Sequence, residues 1–103
     1  MKYFLSLVLF SFLSFPIFSQ INSQIGGPRA EVERLLREGD IQLRRGIFQE
    51  AEFLYTQAIE IDYNYAPSYM KRANLYRIMS RYQESIRDYN KAINLNPYSE
   101  YLY

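Results

Sequence analysis

An all-α fold made of two helix–turn–helix repeats, an α-solenoid with the start of a third unit, is predicted from three observations. The first is internal repetition. Leu35, Gly39, Phe48, Glu50, Tyr55, Ala58, Ile59 and Ile61 recur at one constant offset as Tyr69, Ala73, Tyr82, Glu84, Tyr89, Ala92, Ile93 and Leu95. A fixed period of about 34 residues, with small and aromatic residues at set positions, marks stacked helical hairpins. The second is apolar spacing of three and four residues in four successive segments. The third is punctuation between those segments, by Gly46, by Asn64 with Pro67, and by Asn96-Pro97.

The elements follow in chain order. Residues 1–19 carry one early charge, Lys2, and then an almost unbroken apolar run from Tyr3 to Phe18. The next charge is Arg29. Basic start, apolar core and small or polar residues beyond it are the layout of a secretory signal peptide. The best cut falls between Ser19 and Gln20, with Ser23–Gln24 as second choice. An uncleaved membrane anchor is the alternative, although a helical run of this length reaches only about 24 Å where a span needs about 20 residues. No Cys follows the run, which excludes a lipid-modified cysteine anchor. Both readings send the repeats out of the cytoplasm, to a periplasmic or secreted location, or hold them at a membrane by the leader alone.

Residues 20–30, with Gly26-Gly27-Pro28, read as a flexible linker. The first helix is expected from about Ala30 to Arg44, with Val32, Leu35, Leu36, Gly39 and Leu43 on one stripe. Gly46 stops it. The second runs from about Phe48 to Ile61 and buries Phe48, Ala51, Leu54, Tyr55, Ala58 and Ile59. The third runs from about Pro67 to Met79, with Pro67 in the first turn, where its missing N–H is not needed. It buries Tyr69, Ala73, Tyr76 and Met79. Ser80 and Gln83 are placed to cap the fourth helix, which runs from about Tyr82 to Leu95 with Tyr82, Ile86, Tyr89 and Ile93 in line. The repeats thus occupy residues 32–65 and 66–99, and residues 100–103 read as the truncated start of a further helix. Gly39, Ala51, Ala58, Ala73, Ser85 and Ala92 are the small residues that let helices approach closely.

Composition narrows the function. The 103 residues are 49% hydrophobic, which argues against intrinsic disorder. There is no His and no Cys. Imidazole and thiolate metal ligands, disulfides and every His- or Cys-based nucleophile pair are therefore absent. No group of residues gathers a base, a nucleophile and an oxyanion donor, so the chain does not read as an enzyme. Neither a phosphate-binding glycine loop nor a metal-loop spacing occurs, and no cofactor is expected. The formal charge is +1, and Arg44-Arg45 and Lys71-Arg72 are only doublets, so nucleic acid is not an expected partner.

The second copy, through Tyr69, Ala73, Tyr76, Tyr82, Tyr89, Ala92 and Pro97, resembles the tetratricopeptide repeat. The first resembles it through Gly39, Gly46, Phe48, Ala51, Tyr55 and Ala58. It departs at Glu38, Gln42 and Tyr63, and the second copy departs at Arg72 and Ser85. The resemblance implies a right-handed stack whose first helices line a concave groove that receives a peptide or a partner's helix. The groove positions it implies are Leu36, Asp40 and Leu43, followed by Met70, Lys71, Asn74 and Arg77. Some relatives grip a partner's terminal carboxylate with Lys and Asn on successive first helices. Asn74 stands at such an Asn position, but Leu36 and Met70 stand where Lys would, and Asp40 would repel a carboxylate. A more apolar groove is the expectation, although the same residues could equally be ordinary contact between repeats.

Two repeats are fewer than a solenoid normally needs. The fourth helix is expected to leave Ile86, Tyr89 or Ile93 partly uncovered. Self-association, a partner that completes the stack, or a piece of a longer repeat protein would each account for that. Residues 32–65 carry four Arg against seven acids, and residues 66–99 carry six Lys or Arg against two. Stacked head to tail, the two halves bring unlike charge together, but solvated outer faces are the preferred account of the same charges. The function read from the sequence is an exported interaction module that binds a protein or peptide. A self-assembling structural subunit is the alternative.

Overall fold

Alternation of small and large residues decides how the helices form and meet. The computed structural model describes residues 27–96, all four helices of which are α-helical with no strand among them. Helix α1 covers residues 27–44 of the described chain. It is followed by α2 (Phe48–Ile61), α3 (Ala66–Ile78) and α4 (Tyr82–Leu95). Residues 27–30, expected as the end of the linker, belong to the helix, with Gly27 at φ 69°, a left-handed conformation that glycine accepts. Pro28 fits there because a first-turn residue needs no N–H donor. The leader at 1–19, the rest of the linker, residues 97–99 of the second repeat and residues 100–103 lie outside the described residues. Among the described residues no helix is long and apolar enough to cross a membrane.

Two turns at equivalent positions of the two repeats close the hairpins in the same way. After α1, the Gly46 N–H donates to the Leu43 carbonyl at 3.0 Å and the Ile47 N–H to Gln42 at 2.9 Å. After α3, Ser80 donates to Arg77 at 3.0 Å and Arg81 to Tyr76 at 2.8 Å. Both are Schellman ends, and the residue at the pivot must be left-handed. Gly46 has φ 76° and Ser80 has φ 61°. The expected Ser80–Gln83 cap is therefore not formed. Ser80 belongs to the end of α3, and Arg81 is the N-terminal flanking residue of α4, without a side-chain cap. Between the repeats, the Asp62 carboxylate accepts from the Asn64 N–H at 3.1 Å, which folds the α2–α3 turn.

The core has two centres. The larger joins Val32, Leu35 and Leu36 of α1 to Ala51, Leu54, Tyr55 and Ala58 of α2, and takes Leu75 from α3. The smaller joins Ala66 and Tyr69 of α3 to Ala92 of α4. Gly39 is fixed by the first centre. A Cβ at that position would stand 2.7 Å from Cδ1 of Tyr55 and closer still to Cε1, so the ring lies directly on the helix backbone. Leu75, which the stripe expected for α3 omits, is fully buried and ties α3 into the first repeat. Phe48, Ile59 and Met79 are only partly buried, at the edges of the two centres. On α4 the buried residues are Ser85, Asp88 and Ala92. The aromatic and aliphatic line Tyr82, Ile86, Tyr89, Ile93 faces outward or lies at the edge.

Polar groups stitch the repeats together. Lys71 donates to Asp40 at 2.7 Å and Arg81 to Glu52 at 2.8 Å, both from the second repeat to the first. Arg29 lies 3.7 Å over the Tyr65 ring and pairs with Asp62 at 2.8 Å, while the Tyr65 hydroxyl donates to Glu33. Two cations of the second half are thus paired with acids of the first at the joint between the repeats.

Candidate partner-binding groove

A shallow cavity of about 300 Å³ lies between α1 and α3. Asp40 and Leu43 come from α1, and Met70, Lys71 and Asn74 from α3. These five are positions expected from the sequence. Arg77 is exposed one turn beyond and donates to the Asn74 side-chain oxygen at 2.7 Å, so it extends the rim. Leu36 is a correction. It is 1% exposed and belongs to the first core centre, so no partner can touch it. The helical step of four residues that makes Leu36 a neighbour of Asp40 also turns it toward α2, where an apolar side chain finds a better place.

Two residues of the cavity were not expected there. Tyr55 from α2 and Tyr89 from α4 form its back wall. They occupy the same position of successive repeats, and each second helix thus offers one ring to the groove. The signal was present in the sequence: Gly39 and Ala73, also equivalent positions, remove the side chains that would screen those rings from the cavity.

The electrostatics are internally balanced. Asp40 accepts from the Tyr55 hydroxyl at 2.6 Å with one oxygen and from Lys71 at 2.7 Å with the other. Burial, and then the hydrogen bond to Asp40, push the Tyr55 phenol far above its ordinary range. It therefore acts as a donor at every physiological pH. The expected repulsion of a carboxylate by Asp40 is corrected too, because Lys71 compensates that charge on the spot. What remains is a neutral polar floor beside the apolar atoms of Leu43 and Met70, with Asn74 and Arg77 at one end. Such a surface can bury an apolar side chain and hydrogen-bond the backbone next to it.

A second cluster supports the groove from behind. Arg72 forms a two-pronged pair with Asp88, Nε to Oδ2 at 2.6 Å and Nη2 to Oδ1 at 2.9 Å, and reaches Thr56 at 3.2 Å. Its guanidinium is held charged above its usual range, first by that hydrogen bond to Asp88. Ser85 donates to the Ala73 carbonyl at 2.8 Å. Arg72 and Ser85, the two departures of the second copy from the repeat pattern, are thus each satisfied by a specific partner.

Comparison with known proteins agrees with the helical-repeat fold. The tetratricopeptide repeat family model matches residues 66–99, which is the second of the two copies. The small glutamine-rich tetratricopeptide repeat-containing protein of Dictyostelium discoideum is 35% identical over 77 residues, which is 75% of this chain and 23% of that protein. The chain therefore spans less than a quarter of the length of that relative. Fold and matches together support a protein–protein interaction module in general terms.

Proposed function

We propose that this chain is an exported adaptor that holds a short segment of a partner protein in the α1–α3 groove and carries out no chemistry of its own. The observation that carries the reading is the cavity itself. Its apolar wall, from Leu43, Met70 and two tyrosine rings, sits beside the amide and guanidinium of Asn74 and Arg77. Apolar contact gives such a site its affinity, and the few polar groups fix the direction of the bound backbone. The balanced Asp40–Lys71 pair leaves no net charge on the floor, so the charge of the site is that of the Arg77 guanidinium at its rim, which suits an apolar segment with a carbonyl or acidic group at that end. Export rests on the leader pattern of residues 1–19, with a membrane anchor as the alternative use of the same segment.

Selection of peptides from a random display library on the full chain tests the groove. Selected peptides should lose binding to Met70→Glu and to Asn74→Ala while the helical signal is unchanged. Peptides that bind both variants as well as the parent would remove the groove from consideration. Export is tested separately by the mass of the amino terminus in the exported fraction, where a start at Gln20 is expected.

A further inference from the structure

The joint between the two repeats can be carried one repeat forward on one side and one repeat back on the other. This gives the residues that would meet if one copy of the chain were stacked on the end of another. Across the internal joint, Arg81 pairs with Glu52. Their counterparts are Ile47 and Ile86. Both are large apolar residues on the surface, 41% and 59% exposed. An ion pair inside the chain is thus replaced, on the outer faces of the described repeats, by a matched apolar pair.

The other cross-joint positions change too: the Tyr76–Glu52 hydrogen bond has the counterparts Gln42 and Ile86, which do not pair, while the remaining contacts keep compatible partners. Lys71 donates to Asp40, and the counterparts Arg37 and Asn74 keep the donor and acceptor without the second charge. Arg72 donates to Thr56, while Glu38 and Asn90 exchange the roles, acid for base and amide donor for hydroxyl acceptor. Phe48 and Met79 line one hollow at the joint, and Tyr82 with Arg45 are capable of a cation–π contact in their place. Leu75 fills the first core centre, and its counterpart Ile41 stands 44% exposed on α1. Most of these pairs thus change both members in a compatible way, as a continued joint requires.

From this we infer that a second copy of the chain docks head to tail, the α1 and α1–α2 turn face of one copy covering the α4 face of the next. The contact continues the internal joint and uses the outer faces of the stack, and Asn74 is the residue it shares with the groove. Its centre is the apolar pair Ile47–Ile86, with the polar exchanges around it, and it therefore survives raised salt, unlike an association driven by the opposite charges of the two halves. Because the two faces differ, the contact is heterologous and extends into chains or rings.

The chain has no cysteine, so site-directed disulfide trapping in cells expressing the full-length protein has no background. Ile47→Cys and Ile86→Cys are surface changes. Co-expressed as two separate full chains they should give an oxidant-dependent band of twice the chain mass, retained in high salt and absent when either is expressed alone. The double variant should give a ladder. Tyr63→Cys, 66% exposed at the opposite end of α2, measures random collision. A dimer from Ile86→Cys alone would mean a symmetric α4–α4 contact and overturn the head-to-tail arrangement. A mixed band no stronger than the Tyr63→Cys control, with helicity intact, would overturn the proposal altogether. That result would leave the α4 face to the chain's own residues 97–103 or to a different protein.

Discussion

The two repeats share a backbone plan and solve its central contact with opposite chemistry. In the first, Leu54 sits in the core beside Val32, Leu35 and Tyr55, and Glu38 stays on the surface with Arg34. In the second, the same two positions hold Asp88 and Arg72, an ion pair whose side chains are 9% and 18% exposed. The first repeat leaves Gly39 bare so that the Tyr55 ring can rest on the helix. The second fills that position with Ala73, whose carbonyl accepts from Ser85. Apolar contact is tolerant of small shifts, whereas a half-buried ion pair demands its partner. The second repeat is therefore the more specified of the two, and the first is the one that supplies most of the buried apolar surface.

Removing one member of the ion pair is the largest test of that contrast. Arg72→Met strands the Asp88 carboxylate, and urea denaturation should show a loss of about 3–5 kcal/mol. Adding Asp88→Leu, which copies the solution of the first repeat, should return most of it. A double variant as unstable as the single one would mean that the two repeats are not interchangeable at this position.

Gly39→Ala should cost about 1–3 kcal/mol through overpacking against Tyr55. This loss comes despite the gain of about 1 kcal/mol that Ala normally brings to a helix interior. A raised melting temperature for this variant would show that the ring does not rest there in solution. The two turns give a smaller and signed effect. Ser80→Gly should stabilise by about 1 kcal/mol, because glycine takes the left-handed conformation without the Cβ clash, and Gly46→Ser should lose a similar amount. Equal melting temperatures for all three chains would contradict the shared turn geometry.

The last comparison is silent at neutral pH. Tyr55 and Tyr76 each donate a phenol hydrogen, to Asp40 and to Glu52. Burial is the main cause that raises both, and Tyr76 is pushed up to about 12. A raised pKa in the folded state means that the unfolded chain loses these protons first. Their stabilisation is complete below pH 10, the ordinary phenol value, and is lost as pH climbs from there toward 12. Melting temperatures between pH 8 and 12 should fall steeply in the parent and less steeply in Tyr76→Phe. Parallel curves would show that Tyr76 is not held as a donor.

Helix number, order and nearly every boundary were legible in the sequence, because the repeat register and the turn residues are local signals. The boundaries of α2 and α4 coincide with their apolar spacing, and Gly46 marks its turn unaided. Of the seven groove positions that the family resemblance implied, five line the cavity, since equivalent positions of α1 and α3 stand side by side. Leu36, Ser80, Tyr55 and Asp88 were settled by tertiary contact. Leu36 is apolar, and its fate depends on whether α2 or solvent lies opposite. Ser80 can cap a following helix or end a preceding one, and only the hydrogen bonds from Ser80 and Arg81 back to α3 choose between them. Tyr55 reaches the groove because Gly39 lets its ring through. Asp88 can be buried because Arg72 arrives from another helix, a pairing no local pattern announces. The sequence by itself thus determined the repeating backbone. The meeting of side chains from different helices decided which residues the groove presents and which it hides, since burial and ion pairing depend on what stands across the gap.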